Sequence, residues 1–273
     1  VAKNAALLFK RTDLGFALSE QLEMRVHGDA SAPALVYLPG LHGDWTLIGR
    51  FRKALGNRVR FVEVTYPRTL DWSLEDYAAG VESALAERGI SRGWLLGESF
   101  SSAVVWPLVK RKRFQIEGVV LAGGFVRHPM MWGVRSAEWL CGAISLTALV
   151  RILFGYARLA RWRHRNSPEM LEGLQEFIAR RTKLDQEAAK HRLHLLAQND
   201  PTAIAREAEL PIYGLTGLID PIVPWIFVRS WLRKNCRALR DYKVITYSDH
   251  NVLGMAAEAA AEQVLKWMRA SEQ

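Results

Sequence analysis

The sequence predicts an α/β fold, a mostly parallel sheet flanked by helices, with a helical segment inserted into it. Two observations carry this reading. From residue 34 onwards, short β-branched or apolar runs alternate with longer amphipathic stretches, the order that lays helices over the faces of a parallel sheet. Between about Arg127 and Asn199 the alternation stops, and the sequence reads as helical throughout. A chain of 273 residues accommodates such a domain with an insertion and can bury a substantial core.

The expected strands are residues 34–38, 61–65, 93–96, 118–122, 212–216 and 243–247, with 23–27 adding an antiparallel strand near an edge. Helices are expected over 45–55, 73–88, 99–111, 224–235 and 252–269, the first N-capped by Asp44 and the second by Ser73. Right-handed crossovers then bring the C-terminal strand ends to one rim, where loops converge on a ligand. The insertion has an apolar first part and a charged second part. Its uncharged stretch, 139–150, is too short for a bilayer of ~30 Å, which needs about 20 residues. A lid over a pocket explains it better.

Composition is that of a globular protein, with 49% apolar and 24% charged residues. Residues 1–11 hold no sustained apolar run of the secretory type, so a cytoplasmic location is expected. Cys141 and Cys236 lie far apart, without metal-ligand or redox spacing, and are expected to be packed thiols. The net charge is +9, and much of the excess falls in residues 127–165, where seven arginines face a single acid, Glu138. Such a field attracts anionic substrates or an acidic acyl carrier, and serves solubility equally well. No recognition motif accompanies it, so nucleic acid is not an expected partner.

The chemistry concentrates on the rim. Trp94, Leu95 and Leu96 lead into Gly97, Glu98, Ser99, Phe100 and Ser101, and a helix-like apolar stretch follows. This places Ser99 on a sharp strand-to-helix turn with its hydroxyl exposed and backbone N–H groups free nearby. The small residues at 97 and 101 let the backbones on either side approach. A hydroxyl nucleophile needs a base, a group that orients the base, and donors for an oxyanion. Among seven histidines, His250 is best placed, in the loop after the last strand; His42 is the rival. Asp220, in the turn before Pro221, is the orienting carboxylate, with Asp249 and Glu98 as weaker alternatives. The loop from Pro39 to Asp44 offers Leu41 N–H as one oxyanion donor, and Phe100 N–H is the other.

The order Ser99, Asp220, His250, together with the Pro39–Gly40 loop and the elbow, resembles the α/β-hydrolase superfamily, in its serine esterase form with a helical cap. The resemblance implies residues 1–126 and 200–273 as the core and 127–199 as the cap. It implies that Ser99 attacks an acyl carbonyl with His250 as base, that carboxylic esters are the substrate class, and that neither metal nor organic cofactor is required. Thioesters and other acyl bonds, or a binder without catalysis on the same scaffold, remain as alternatives. Pro39–Gly40 stands where many members have His-Gly; if His42–Gly43 is the counterpart, the Leu41 assignment moves by a few residues. His42, Trp132, Trp139, Phe154 and Tyr156 are expected to line an acyl pocket.

Overall fold

The computed structural model describes residues 21–145, 147–148, 176–178 and 181–271. In chain order the elements are β1 (Glu23–His27), β2 (Ala34–Leu38), α1 (Gly49–Leu55), β3 (Arg60–Thr65), α2 (Leu74–Glu87), β4 (Arg92–Glu98), α3 (Ser101–Arg111) and β5 (Gln115–Ala122). Then follow α4 (Met131–Ala143), α5 (Lys183–Gln198), α6 (Thr202–Glu207), β6 (Ile212–Gly217), α7 (Trp225–Asn235), β7 (Leu239–Ile245), α8 (Val252–Met255) and α9 (Ala257–Ala270).

The strands form one sheet in the order β1-β3-β2-β4-β5-β6-β7. Only β1 is antiparallel to its neighbour. The central strands are apolar at successive positions because both faces are covered, as parallel sheets require. Side chains still alternate. Val36, Leu38, Leu95, Val119 and Leu121 join one core with residues of α2 and α3, while Leu35, Tyr37, Leu96, Val120 and Leu215 join the other with residues of α1 and α9.

Ser73 caps α2 as expected, in a full capping box with Asp76. Asp44 does not cap α1. That helix starts at Gly49 behind Ile48, without a side-chain cap, because the Asp44 carboxylate is taken by Thr46 and by Arg181 of the insertion. The C-terminal helix is broken at Ala256, whose φ of −122° and ψ of 45° are not helical.

The segment between β5 and β6 contributes α4 and α5, joined by Gln186 Nε2–H bonds to Cys141 O at 2.7 Å and Ile144 O at 2.8 Å. Helix α5 sits on the loops after β2 and β3. Thr182 and Asp185 form its capping box, Asp185 accepts from Arg68 Nε at 2.7 Å, and the His191 ring donates to Trp72 O at 2.8 Å. Among the described residues no helix is long and apolar enough to cross a membrane.

Candidate active site

Ser99 stands at the end of β4 with φ +47°, a left-handed conformation that disfavours a residue with a Cβ. The turn is held from both sides: Ser99 N–H donates to Ala122 O at 3.0 Å, and Ser102 N–H donates to Ser99 O at 3.0 Å. Gly97 is required by close approach, since a Cβ there would lie 2.8 Å from Val105 Cγ2 and 3.2 Å from Ser101 O. Ser101, small enough for the close approach, also uses its hydroxyl. It is fully buried, accepts from Tyr66 OH at 2.7 Å and donates to Pro39 O.

His250 and Asp220 meet Ser99 in one linear group. His250 Nε2 is 2.9 Å from Ser99 Oγ, and Nδ1 is 2.8 Å from Asp220 Oδ2. The Asp220 side chain is fully buried, whereas that of His250 is 18% exposed, so the ring faces the rim. Asp220 Oδ1 accepts from Ile222 N–H and Val223 N–H, each at 2.9 Å, which aims Oδ2 at the ring. A carboxylate only accepts, so it holds the ring proton on Nδ1 and leaves Nε2 to accept from the serine hydroxyl. The alternative acids point elsewhere: Asp249 accepts from Asn251 N–H at 3.0 Å, and Glu98 takes the Tyr37 hydroxyl. His42, the rival base, packs its ring edge-on against Phe177 at 5.6 Å.

Leu41 and Phe100 lie on the two loops flanking the serine, and among the described residues neither N–H is bonded to another protein group. His42 belongs to the same loop, with Nε2 buried and unbonded. Trp132 and Trp139 are not enclosed in a pocket. They are 72% and 71% exposed, because α4 turns only Val134 fully inwards. Phe154 and Tyr156 lie outside the described residues, as do Arg151, Arg158, Arg161, Arg163 and Arg165 of the basic segment.

Sequence reasoning missed three groups around this site. Arg181 and Arg192 reach the Leu41 loop from the insertion. Burial pushes the Asp44 carboxyl up, but the charges of His42 and Arg181 and hydrogen bonds from Thr46 and Arg181 outweigh it, holding the group well below the usual carboxylate range. His128, just after β5, is buried at 8% exposure against Phe125. Burial, reinforced by His250, pushes its pKa down. Only its place after a strand end hinted at such a position.

No protein-family model matches the chain, and no curated protein does either. Solved structures match over most of its length. A thermophilic esterase from Thermogutta terrifontis, with malate bound, has a TM-score of 0.75 at 17% identity, covering 92% of this chain and 94% of that one. The enol-lactonase from Burkholderia xenovorans LB400 has a TM-score of 0.73 at 19% identity, covering 91% and 96%. MGS-M2, an α/β hydrolase from a Medee basin deep-sea metagenome library, has a TM-score of 0.74 at 12% identity, covering 90% and 94%. Identities this low speak for the backbone, and with the strand order above they establish that the chain has the α/β-hydrolase fold.

Proposed function

We propose that this protein is a serine hydrolase that cleaves carboxylic esters through an acyl-enzyme intermediate. Ser99 is the nucleophile, His250 the general base and Asp220 the residue that orients it. The observation that carries the reading is the continuous chain of contacts from Asp220 Oδ2 through the His250 ring to Ser99 Oγ, 2.8 and 2.9 Å long. Esterases and a lactonase of the same fold support the choice of ester chemistry.

His250 Nε2 takes the hydroxyl proton as Ser99 Oγ attacks the acyl carbon, and Asp220 stabilises the imidazolium that forms. The carbonyl oxygen becomes an oxyanion held by the N–H groups of Leu41 and Phe100. The imidazolium then passes its proton to the leaving alcohol, and the acyl group stays on Ser99. Water, deprotonated by the same imidazole, releases the carboxylic acid in a second passage through the same oxyanion site. The described helices of the insertion, α4 and α5, are read as part of a cap beside this centre.

A panel of p-nitrophenyl esters and acyl thioesters, run with wild type, Ser99→Ala and Asp220→Asn, tests the proposal. Ser99→Ala is expected to abolish both turnover and labelling by a fluorophosphonate. Asp220→Asn is expected to lower kcat by up to ~10⁴-fold through loss of ring orientation. Wild-type protein that neither labels nor hydrolyses any acyl substrate overturns it in favour of a binder on a hydrolase scaffold.

A further inference from the structure

A buried cation with no carboxylate partner among the described residues holds the loop that carries the proposed oxyanion donor. Arg192 of α5 is 2% exposed. Among the described residues its guanidinium bonds only neutral acceptors: Nη1–H donates to Leu41 O at 2.9 Å and Nη2–H to Pro67 O at 3.1 Å. Its Cζ lies 5.7 Å from the Tyr66 ring centre, and Nε is buried with no partner. Removing a guanidinium from water without a counter-charge is expensive, so cohesion alone is a poor reason for this residue.

The loop explains its position. Four consecutive carbonyls are each held by a separate donor: Pro39 O by Ser101 Oγ, Gly40 O by Gly43 N–H at 3.0 Å, Leu41 O by Arg192, and His42 O by Arg181 Nη1 at 3.4 Å. A trans peptide points its N–H opposite to its C=O, so fixing these carbonyls fixes the directions of the Gly40, Leu41, His42 and Gly43 N–H groups. The loop is also shaped around the cation. Gly43 has φ +81°, and a Cβ there would fall 2.4 Å from Arg192 Nη1.

We infer that Arg192, supported by Arg181, is a positioning residue of the oxyanion site: by holding Leu41 O it fixes the peptide that follows the Leu41 N–H, so that the insertion restrains the donor residue from its C-terminal side and brings positive charge to the adjoining peptide. The inference rests on the ester-hydrolase reading above and adds a residue to it. An oxyanion donor acts through preorganisation, and losing one outright costs ~100- to 1,000-fold in kcat. Loosening one predicts a smaller effect.

The test uses Arg192→Met, which keeps an apolar stem against Tyr66, and Arg192→Lys, which keeps a charge and one reach of hydrogen bonding. Rates are normalised to the sites titrated by a fluorophosphonate, so that unfolded protein does not count. For Arg192→Met, kcat is expected to fall about 10- to 100-fold while KM stays within about threefold, the split that marks loss of a transition-state interaction. Affinity for a trifluoromethyl ketone, which forms a tetrahedral oxyanion on the serine, is expected to weaken by the same factor, and affinity for the product acid is expected to hold. Arg192→Lys is expected to recover part of both losses. An unchanged kcat per titrated site overturns the inference, as does a fall in kcat without weaker ketone binding. If Arg192→Met yields no folded protein, Arg192→Lys and Arg181→Met are judged by the same paired readout. Wild-type protein that neither labels nor turns over fails at the earlier step, and takes this inference with it.

Discussion

Replacing Gly123 by alanine probes the assembled site without altering any group assigned a chemical role. Gly123 follows β5 with φ +55°, and a Cβ on it would lie 3.0 Å from His250 O and 3.2 Å from Cε1 and Nδ1 of the ring. Those separations fall short of the ~3.5–4.0 Å at which non-bonded carbon contacts are comfortable. The ring and its loop therefore have to retreat by several tenths of an ångström. The 2.9 Å contact between His250 and Ser99 has little slack before it passes the ~3.2 Å end of the hydrogen-bond range. A misplacement of ~1 Å can cost ~100-fold, so half of that predicts a loss of roughly tenfold in kcat. The backbone conformation adds about 1–2 kcal/mol of destabilisation, or about 2–8 °C in Tm for a domain of this size. Gly89→Ala is the control, because Gly89 has φ +65° with nothing within 4 Å of its Cβ position. It should lose the same few degrees and keep full activity. Initial rates on p-nitrophenyl acetate and melting followed by circular dichroism read both effects. A Gly123→Ala enzyme with wild-type kcat, beside a normally destabilised Gly89→Ala, would show that the ring does not rest on this backbone, and the site geometry would be wrong.

Asp44→Asn is expected to destabilise the fold by up to about 3 kcal/mol at neutral pH, because it removes the nearer of the two carboxylates beside the buried Arg181 and leaves only Asp185, at 4.0 Å, among the described residues. The Asp44 carboxyl is held below its unfolded value, so the unfolded chain binds the proton first as pH falls. The stabilisation is complete above about pH 4 and shrinks as pH drops towards the folded pKa. Urea titrations of wild type and variant should therefore converge below about pH 4, and a gap that stays constant from pH 7 to pH 3 refutes the assignment. At position 99, where φ is +47°, Ser99→Gly should be more stable than Ser99→Ala by about 1 kcal/mol, some 2–4 °C in Tm. The reverse order would show that the elbow is not strained.

What the sequence disclosed and what it hid divide along the range of the interactions. β1 and β2 have the bounds expected; β2, buried on both faces, announces itself as an apolar run, whereas β1 is a mostly exposed edge strand in which only Met24 is buried. β5 and β7 start three and four residues earlier than expected, at Gln115 and Leu239. Their exposed polar ends are strand through pairing with β4 and β6, which hydrophobicity does not report. Ser73 was legible as a cap because its partner Asp76 is three residues away. Asp44 was misread because its partner Arg181 is 137 residues away. The same limit applies at the site. Ser99, Asp220 and His250 could be proposed from the sequence because each follows a strand, a position that the chain order reveals. Arg192 looks like one more charge on a polar helix until the fold buries it.

The sheet itself accounts for the tight geometry of the three proposed catalytic side chains, although all sit on turns. The hydrogen-bond ladder continues past the strand ends. Ser99 N–H donates to Ala122 O, Gly123 N–H to Leu215 O, Leu218 N–H to Ile245 O and Ile219 N–H to Ser248 O. The serine elbow is thus laced to the end of β5, β5 to β6, and the acid turn to the loop that carries His250. Gly217 fits between these turns only without a Cβ, which would fall 2.2 Å from Asp249 O. The Leu41 loop is built differently. Of its four held carbonyls one is bonded within the loop, one by α3, and two by arginines of the segment between β5 and β6. The proposed nucleophile and base are therefore positioned by the sheet, and the residue carrying the proposed oxyanion donor is restrained from its C-terminal side by the insertion. Substitutions in α5 should accordingly act on the stabilisation of the tetrahedral intermediate while leaving the Ser99–His250–Asp220 contacts in place.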